Sequence, residues 1–446
     1  LLSNIKQEIR NLINDKKFSE ILTGSAWALS ARVAATLFGL VLSIITVRYY
    51  GADIMGILSV LQSFLGLATI FTVLGTKTSI LRLIPEHLVK YSPTSAFRLY
   101  RKTQYIVIGV SIFSGALFYF GSDYVADKIF SKQYLSFYLS LSAVFIVFKS
   151  IMLLNTQAVR GLRLSRIFAL MQMLPSASSL LLLICATSFY YTKSNPIYTM
   201  LASLAITGIF GWLIMEKEFK DRMRHDDVIH KMPARDILSI SLPMLMTATM
   251  YFVIGQTGII MLGMFKDATE VGYYAVAVKL ATLTGFVLAA INAVSGPKFS
   301  ELFHSGRMSE LLYVSKKSAK LVFWTTAPIL ISLIIIGRPL LAILFGQDFV
   351  VAYPVLVIVV IGQFANSIAG SNGMFMNMTG NQNSLRNFVL IAAILNIILN
   401  LFLIPRIGIL GAAVASMVSS SFWNIAAIIF VKNKYKTNIG YFPTLM

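Results

Sequence analysis

The chain has 446 residues, 57% of them hydrophobic and 13% charged, with 38 Lys and Arg against 18 Asp and Glu for a formal net charge of +20. Soluble domains carry about 45–50% apolar and about 25% charged residues, so this composition excludes a soluble globular protein, and its dilute charge excludes a disordered one. A membrane-crossing helix needs about 20 residues; twelve such helices fit, with no stretch left for a separate catalytic domain.

Residues 1–20 place Ile5, Ile9, Leu12 and Ile13 on one helical stripe, with Lys6, Arg10, Lys16 and Lys17 elsewhere. This is the pattern of an amphipathic segment lying on an anionic membrane surface. The same polar start argues against a cleavable signal peptide. Twelve apolar spans follow, at roughly 22–46, 57–75, 103–122, 135–156, 167–190, 196–215, 237–264, 272–295, 320–337, 354–378, 387–404 and 408–431. The expected organisation is an N-terminal lobe over 21–215 with six helices, a polar cytoplasmic linker over 216–236, a C-terminal lobe over 237–431 with six more, and a cytoplasmic tail over 432–446.

Orientation follows from the Lys/Arg bias of short loops. With both termini inside, inner segments hold 28 basic residues and outer loops 7, namely Arg48, Lys128, Lys132, Lys193, Lys266, Arg338 and Arg406. The positive net charge is therefore a topology signal, and no nucleic-acid partner is expected.

The two halves repeat. Gly51 through Gly56 leads into the second span as Phe265 through Gly272 leads into the eighth. Arg82 falls opposite Lys298 and Arg101 opposite Lys317 at an offset of 216, Phe130 opposite Phe345 at 215, and Arg166 opposite Arg386 at 220. Six spans per repeat give both halves the same orientation, so they are parallel repeats about an axis along the membrane normal, with a site expected between them.

Arg32, Lys149 and Lys279 lie inside spans, and no Asp or Glu does. Charges within a bilayer are costly and mark polar cavities; cations without carboxylate partners call for an anionic ligand. Arg32 shares a stripe with Ser25, Thr36 and Ser43, and its planar guanidinium suits a phosphate. Lys279 and Lys149 are further candidates, with snorkelling to the nearer membrane surface as the alternative for both. Uncharged polar residues could line a sugar-binding chamber: Gln62 in the second span, Gln256 in the seventh, Asn292 in the eighth, and Gln363, Asn366, Ser367, Ser371, Asn372 and Asn377 at helical spacing in the tenth. Interhelical contacts are the alternative.

There is no nucleotide-binding loop; Gly75-Thr76-Lys77-Thr78 has the wrong order and no upstream glycine. The single cysteine, Cys185, excludes an intramolecular disulfide and paired-cysteine metal sites. His87, His225, His230 and His304 all fall in predicted cytoplasmic loops, and no metal or cofactor is expected. An enzyme is not expected.

Several stretches resemble the polysaccharide flippase (Wzx-type) branch of the multidrug/oligosaccharidyl-lipid/polysaccharide exporter superfamily. They are Arg48-Tyr49-Tyr50-Gly51 to Gly56, Gly296-Pro297-Lys298 to Leu302, Leu344-Phe345-Gly346 to Tyr353-Pro354, Gly380-Asn381 to Asn387, and Gly408-Ile409-Leu410-Gly411-Ala412-Ala413. The resemblance implies an all-α, two-lobed inverted-V exporter fold working by alternating access. It implies a flippase moving a polyprenyl-pyrophosphate-linked oligosaccharide, an O-antigen, capsule or exopolysaccharide repeat unit, across a bacterial cytoplasmic (inner) membrane. Partners would be that substrate, membrane lipids and the polysaccharide polymerase machinery. The drug-exporting branch typically uses intramembrane carboxylates, and lipid II flippases usually have fourteen spans; a cation-coupled multidrug exporter and a lipid II flippase remain the alternatives. On the flippase reading, Arg32 and Lys279, with Lys149 as a third cation, hold the pyrophosphate, while Gln62, Gln256, Asn292, Gln363 and Asn366 contact sugar or line the chamber.

Overall fold

The computed structural model describes residues 16–223, 230 and 232–441. Most of the predicted amphipathic segment 1–20 and part of the linker 216–236 lie outside the described residues. The described chain is almost wholly helical. In order, the elements are α1 (Lys16–Val73), α2 (Thr76–Lys90), α3 (Pro93–Phe120), α4 (Leu135–Val144), α5 (Ile146–Gly161), α6 (Ser165–Phe189), α7 (Asn195–Lys220), α8 (Ala234–Phe265), α9 (Ala268–Ala281), α10 (Gly285–His304), α11 (Met308–Phe345), α12 (Tyr353–Ala369), α13 (Asn372–Met378) and α14 (Gln382–Tyr435). Short 3₁₀ and π turns join several of them.

Among the described residues, nine helices are long and apolar enough to cross a membrane, or ten when α4 and α5, which meet at 46°, are taken as one bent span. Two of the ten are double. The long α1 breaks at Gly51 (φ 89, ψ 174), a backbone region open to glycine and almost nothing else, and α14 breaks at Ile407–Gly408. Counted so, the described chain holds twelve candidate crossings, the number its hydropathy predicts. Large apolar side chains are exposed around the outside, among them Phe113, Leu117, Ile335, Ile394, Ile398 and Leu401, which in a bilayer is contact with lipid.

Local rules account for the helix ends. Ser92 caps α3, its hydroxyl accepting the backbone N–H of Ser95 at 3.1 Å, with Pro93 in the first turn; serine supplies the missing acceptor and proline occupies a position whose N–H is not needed. The predicted tenth span was one helix over 354–378, and here the structure corrects the sequence. At Gly370 (φ 55, ψ −128) α12 ends, and α13 starts afresh at Asn372. Gln363 and Asn366 therefore share a helix, whereas Asn372 and Asn377 belong to the next one. The eighth span is also broken, by a 3₁₀ turn over Thr282–Thr284 between α9 and α10.

Because consecutive spans alternate in direction, the molecule has two ends. The far end carries Gly51, Lys132 and Gly346; the near end carries α2, the α7–α8 connection and the described chain ends. Apolar packing differs between them. In the far half, one core joins residues from both halves of the chain: Leu61, Leu65 and Leu139 with Leu262, Tyr274, Leu330 and Leu356. Toward the near end that core divides. Ile84, Tyr100, Leu154 and Phe219 pack in the first half, and Phe299, Leu302, Phe375 and Val389 in the second, with only a small cluster of Leu83, Leu99 and Ile237 bridging them. The result is a wedge, closed at the far end.

One flank of the wedge is zipped by α1 and the start of α2 against α8. Val60 lies against Gly263, Phe252 against Gly66, and the Ser241 carbonyl against Gly75, and Ser79 and Ser241 share a 2.6 Å hydroxyl bond. On the other flank, α9 packs closely on α1 and α10 does so only slightly.

Candidate functional site

The site is built on the wedge. Arg32 stands on the first arm of α1, exposed, with no hydrogen-bond or ionic partner for its guanidinium among the described residues. Two turns further on, Gly39 and Ser43 lie on the same face, since positions 32, 36, 39 and 43 recur at helical spacing. Thr36 hydrogen-bonds the Arg32 carbonyl at 2.8 Å, and the Ser43 hydroxyl the Gly39 carbonyl at 2.9 Å.

Lys279 reaches this face from α9. Its Nζ donates to the Gly39 carbonyl at 2.5 Å and to the Ser43 hydroxyl. Ser176 of α6 lies beside the same glycine. Arg32 and the Lys279 ammonium thus follow one face of one helix, separated by about two turns or roughly 10 Å along its axis. No ion pair offsets either among the described residues.

The remaining predicted residues divide. Gln363 and Asn366 fall together in a small crevice with Thr284, Gly285, Thr326 and Ser367. Asn366 approaches the Gln363 side-chain oxygen at 3.5 Å, and Thr326 and Ser367 are bonded at 2.6 Å. Asn292 on α10 is half-buried, and its Oδ1 lacks a partner. Gln62 on the second arm of α1 is exposed, but the Gln256 side chain accepts from Ser63 at 2.8 Å, so here Gln256 joins α1 to α8. Lys149 on α5 is half-buried without an ionic or hydrogen-bond partner among the described residues; its neighbour Phe148 packs through its backbone against Gly208 of α7.

Two cations that cap helix ends across the halves were hidden among the outer-loop charges. Arg48 donates from Nε to the Leu344 carbonyl at 3.1 Å and also bonds the Ile343 carbonyl, capping the last turn of α11. Lys132 donates to the Gly263 carbonyl at 2.8 Å and to that of Lys266, capping α8. Cations suit these carbonyl-rich helix ends. Burial pulls the Lys132 ammonium below the ordinary lysine range, against the opposing pull of Asp267 and Glu270. Both caps run the same way, from the first half onto helix ends of the second.

A reciprocal contact does lie between them. A Cβ on Gly56 would sit 1.7 Å from the Ala268 carbonyl oxygen, and one on Gly272 would sit 2.1 Å from that of Ala52. Gly56 pairs with Gly272, and Ala52 with Ala268, at the repeat offset of 216. The pseudo-two-fold therefore passes through this crossing, which only glycine permits. The sequence contained the signal, since both glycines stood in the matched stretches.

Near-end histidines form no such site. His230 stacks on Tyr91 at 4.2 Å and lies 5.9 Å from His87, whose pKa burial lowers. Among the described residues no group of three His, Cys, Asp or Glu could hold a metal ion; His225 lies outside them.

Comparison with known proteins gives three findings. A family model described as "Polysaccharide biosynthesis protein" matches residues 21–303. An uncharacterized membrane protein of Methanocaldococcus jannaschii is 24% identical over 49% of this chain and 43% of its own. A probable low-salt glycan biosynthesis flippase of Haloferax volcanii is 22% identical over 50% of this chain and 46% of its own. The chain thus spans less than half the length of these curated relatives. Among solved structures, the lipid II flippase MurJ in an inward closed conformation aligns with a TM-score of 0.70 at 14% identity, covering 92% of this chain and 87% of that one. An inward-facing multidrug resistance MATE transporter aligns at 0.65 and 12% identity, covering 93% and 94%. A transporter of the same superfamily from Pyrococcus furiosus aligns at 0.62 and 12% identity, covering 95% and 97%. These likenesses establish the exporter fold shared by that superfamily.

Proposed function

Because the chain belongs to the polysaccharide biosynthesis protein family, we propose that it is a flippase for a lipid-linked oligosaccharide, working by alternating access between its two halves. One observation carries this reading. Arg32 and Lys279 both stand at one face of α1, and none of the 18 carboxylates lies within a predicted span to neutralise them. Two cations without ionic partners among the described residues favour an anion, and arginine holds phosphate oxygens in bidentate fashion. A pyrophosphate-linked polyprenyl glycan supplies such a headgroup, with sugars for the amides of Gln62, Asn292, Gln363 and Asn366, while its polyprenyl tail stays in lipid.

The positive-inside bias makes the near end cytoplasmic. The wedge then faces the compartment in which the lipid is loaded, and both termini are cytoplasmic. The residues 21–215 and 237–431 would be the two moving units. The curated relatives come from archaea, so the class extends from the bacterial repeat units expected from sequence to lipid-linked glycans in general. The flipped unit would pass to polysaccharide polymerase machinery. No chemical step is needed, and the membrane potential can help. Moving one charge through 100 mV is worth about 2.3 kcal/mol, so a headgroup of charge about −2 gains about 5 kcal/mol on leaving a negative interior.

The test is translocation of a labelled polyprenyl-pyrophosphate oligosaccharide in proteoliposomes. Wild type should move it, and Arg32→Ala should reduce the rate at least tenfold. Movement of a cationic dye, and of no such lipid, would overturn the reading in favour of a multidrug exporter.

A further inference from the structure

We propose that Lys279 is a strap holding the far end shut, and that the anionic headgroup opens that end by drawing the ammonium away from α1. This rests on the substrate class proposed above and assigns Lys279 a second role, in coupling.

Three cations cross between the halves in the far half of the molecule. Arg48 and Lys132 cap helix ends at the loops. Lys279 alone crosses within a predicted span, five residues before Thr284 of the polar crevice. Its partners are a carbonyl and a hydroxyl. The Ser43 hydroxyl gives its own proton to the Gly39 carbonyl and so is free to accept from the ammonium. Both acceptors are neutral. A phosphate oxygen offers a charge-assisted bond roughly twice as strong. An anion already held at Arg32, two turns away on the same face, outcompetes them.

Arg48, Lys132 and the shared apolar core also hold this end, so Lys279 is one tie among several and the one that a ligand in the wedge can reach. At the Gly56–Gly272 crossing the contact is backbone on backbone, with no side chain from either glycine to interlock. Immediately after Lys279, the 3₁₀ turn over Thr282–Thr284 separates α9 from α10, so α9 can swing without carrying the whole span. Release of the ammonium thus links loading of the wedge to opening of the opposite end.

The experiment reads the far-end distance between spin labels at Tyr124→Cys and Val351→Cys, one in each half and both exposed, in a Cys185→Ser background in nanodiscs. Without ligand, wild type should give a short, narrow distribution and Lys279→Met a longer one. Lys279→Arg should restore the short distance, and Ser43→Ala, which removes one acceptor from the other side, should fall between. A polyprenyl pyrophosphate should lengthen the distance in wild type and leave Lys279→Met unchanged. A short distance that still responds to the lipid in Lys279→Met would overturn the strap while leaving the flippase reading intact. Wild type that ignores the lipid would overturn the coupling, and the translocation assay then decides separately whether the substrate class falls with it. Failure of Lys279→Met to fold would leave Ser43→Ala and Lys279→Arg to decide, identical ligand-free distances in these two and wild type counting against the strap.

Discussion

The far and near ends of this molecule are made of the same helices but packed differently. At the far end, residues from both halves of the chain share one apolar core, crossed by a glycine pair and tied by three cations. At the near end each half keeps its own core, and the halves meet along α1 and α2 against α8 and in a small cluster of Leu83, Leu99 and Ile237. The difference teaches how a membrane protein can close one side of a cavity. Lipid is as apolar as leucine, so burial alone does not press helices together. Close approach of backbones and charged groups on opposing carbonyls must do so, and both are concentrated at the far end.

The comparison can be broken most severely at the near end. Gly75 has φ 74, and a Cβ there would lie 2.1 Å from the Ser241 carbonyl oxygen. Gly75→Val combines backbone strain with overpacking, each worth about 1–3 kcal/mol. It should lower the thermal unfolding midpoint in detergent more than either far-end glycine variant and leave the far-end label distance short. A stability equal to wild type would mean that the α1–α8 zipper is not held where we describe it.

The glycine crossing offers a sharper test. Gly56→Val and Gly272→Val should have similar effects, about 1–3 kcal/mol of overpacking in the closed state, because each meets the other helix's carbonyl. The double variant should cost less than the sum, since both changes pry apart one contact. Strictly additive effects, measured by the same distance distributions, would separate the two contacts and contradict the shared axis.

The smallest effect is expected at Lys149, which has no ionic or hydrogen-bond partner among the described residues and lies on α5, outside the cation column. Lys149→Met removes a half-buried charge that has no partner among the described residues, so it should not lower stability, and it should leave translocation within about twofold of wild type. A tenfold loss of transport would place Lys149 with Arg32 and Lys279 after all.

Much of this was legible in the sequence because hydropathy and charge are one-dimensional signals. The twelve crossings follow from apolar runs, and the carboxylate-free cation set from a simple inventory. Gln363 and Asn366 share a crevice because three-residue spacing on an unbroken helix fixes one face. The same reasoning failed past Ala369, where a single backbone conformation at Gly370 ends the helix. The partner of Lys279 was not legible, because a contact 240 positions away depends on how two halves dock. Arg48 and Lys132 were read as topology markers because a loop charge carries no sign of which helix end it will meet. Gln256 looks alike in sequence whether it lines a chamber or bridges two helices, and the bond to Ser63 places it in the second role in this state.

The crossing of Gly56 and Gly272 also has a history written into it. A contact in which Gly56 meets Ala268 as Gly272 meets Ala52 is isologous, the kind made by two identical subunits about a two-fold axis. Its survival inside one chain is what gene duplication and fusion of a six-helix homodimer would leave behind. In that ancestor one substitution altered both sides of the contact at once. After fusion each side became free to vary alone, so the two halves could acquire different cations, Arg32 in one and Lys279 in the other, around an axis that still admits only glycine.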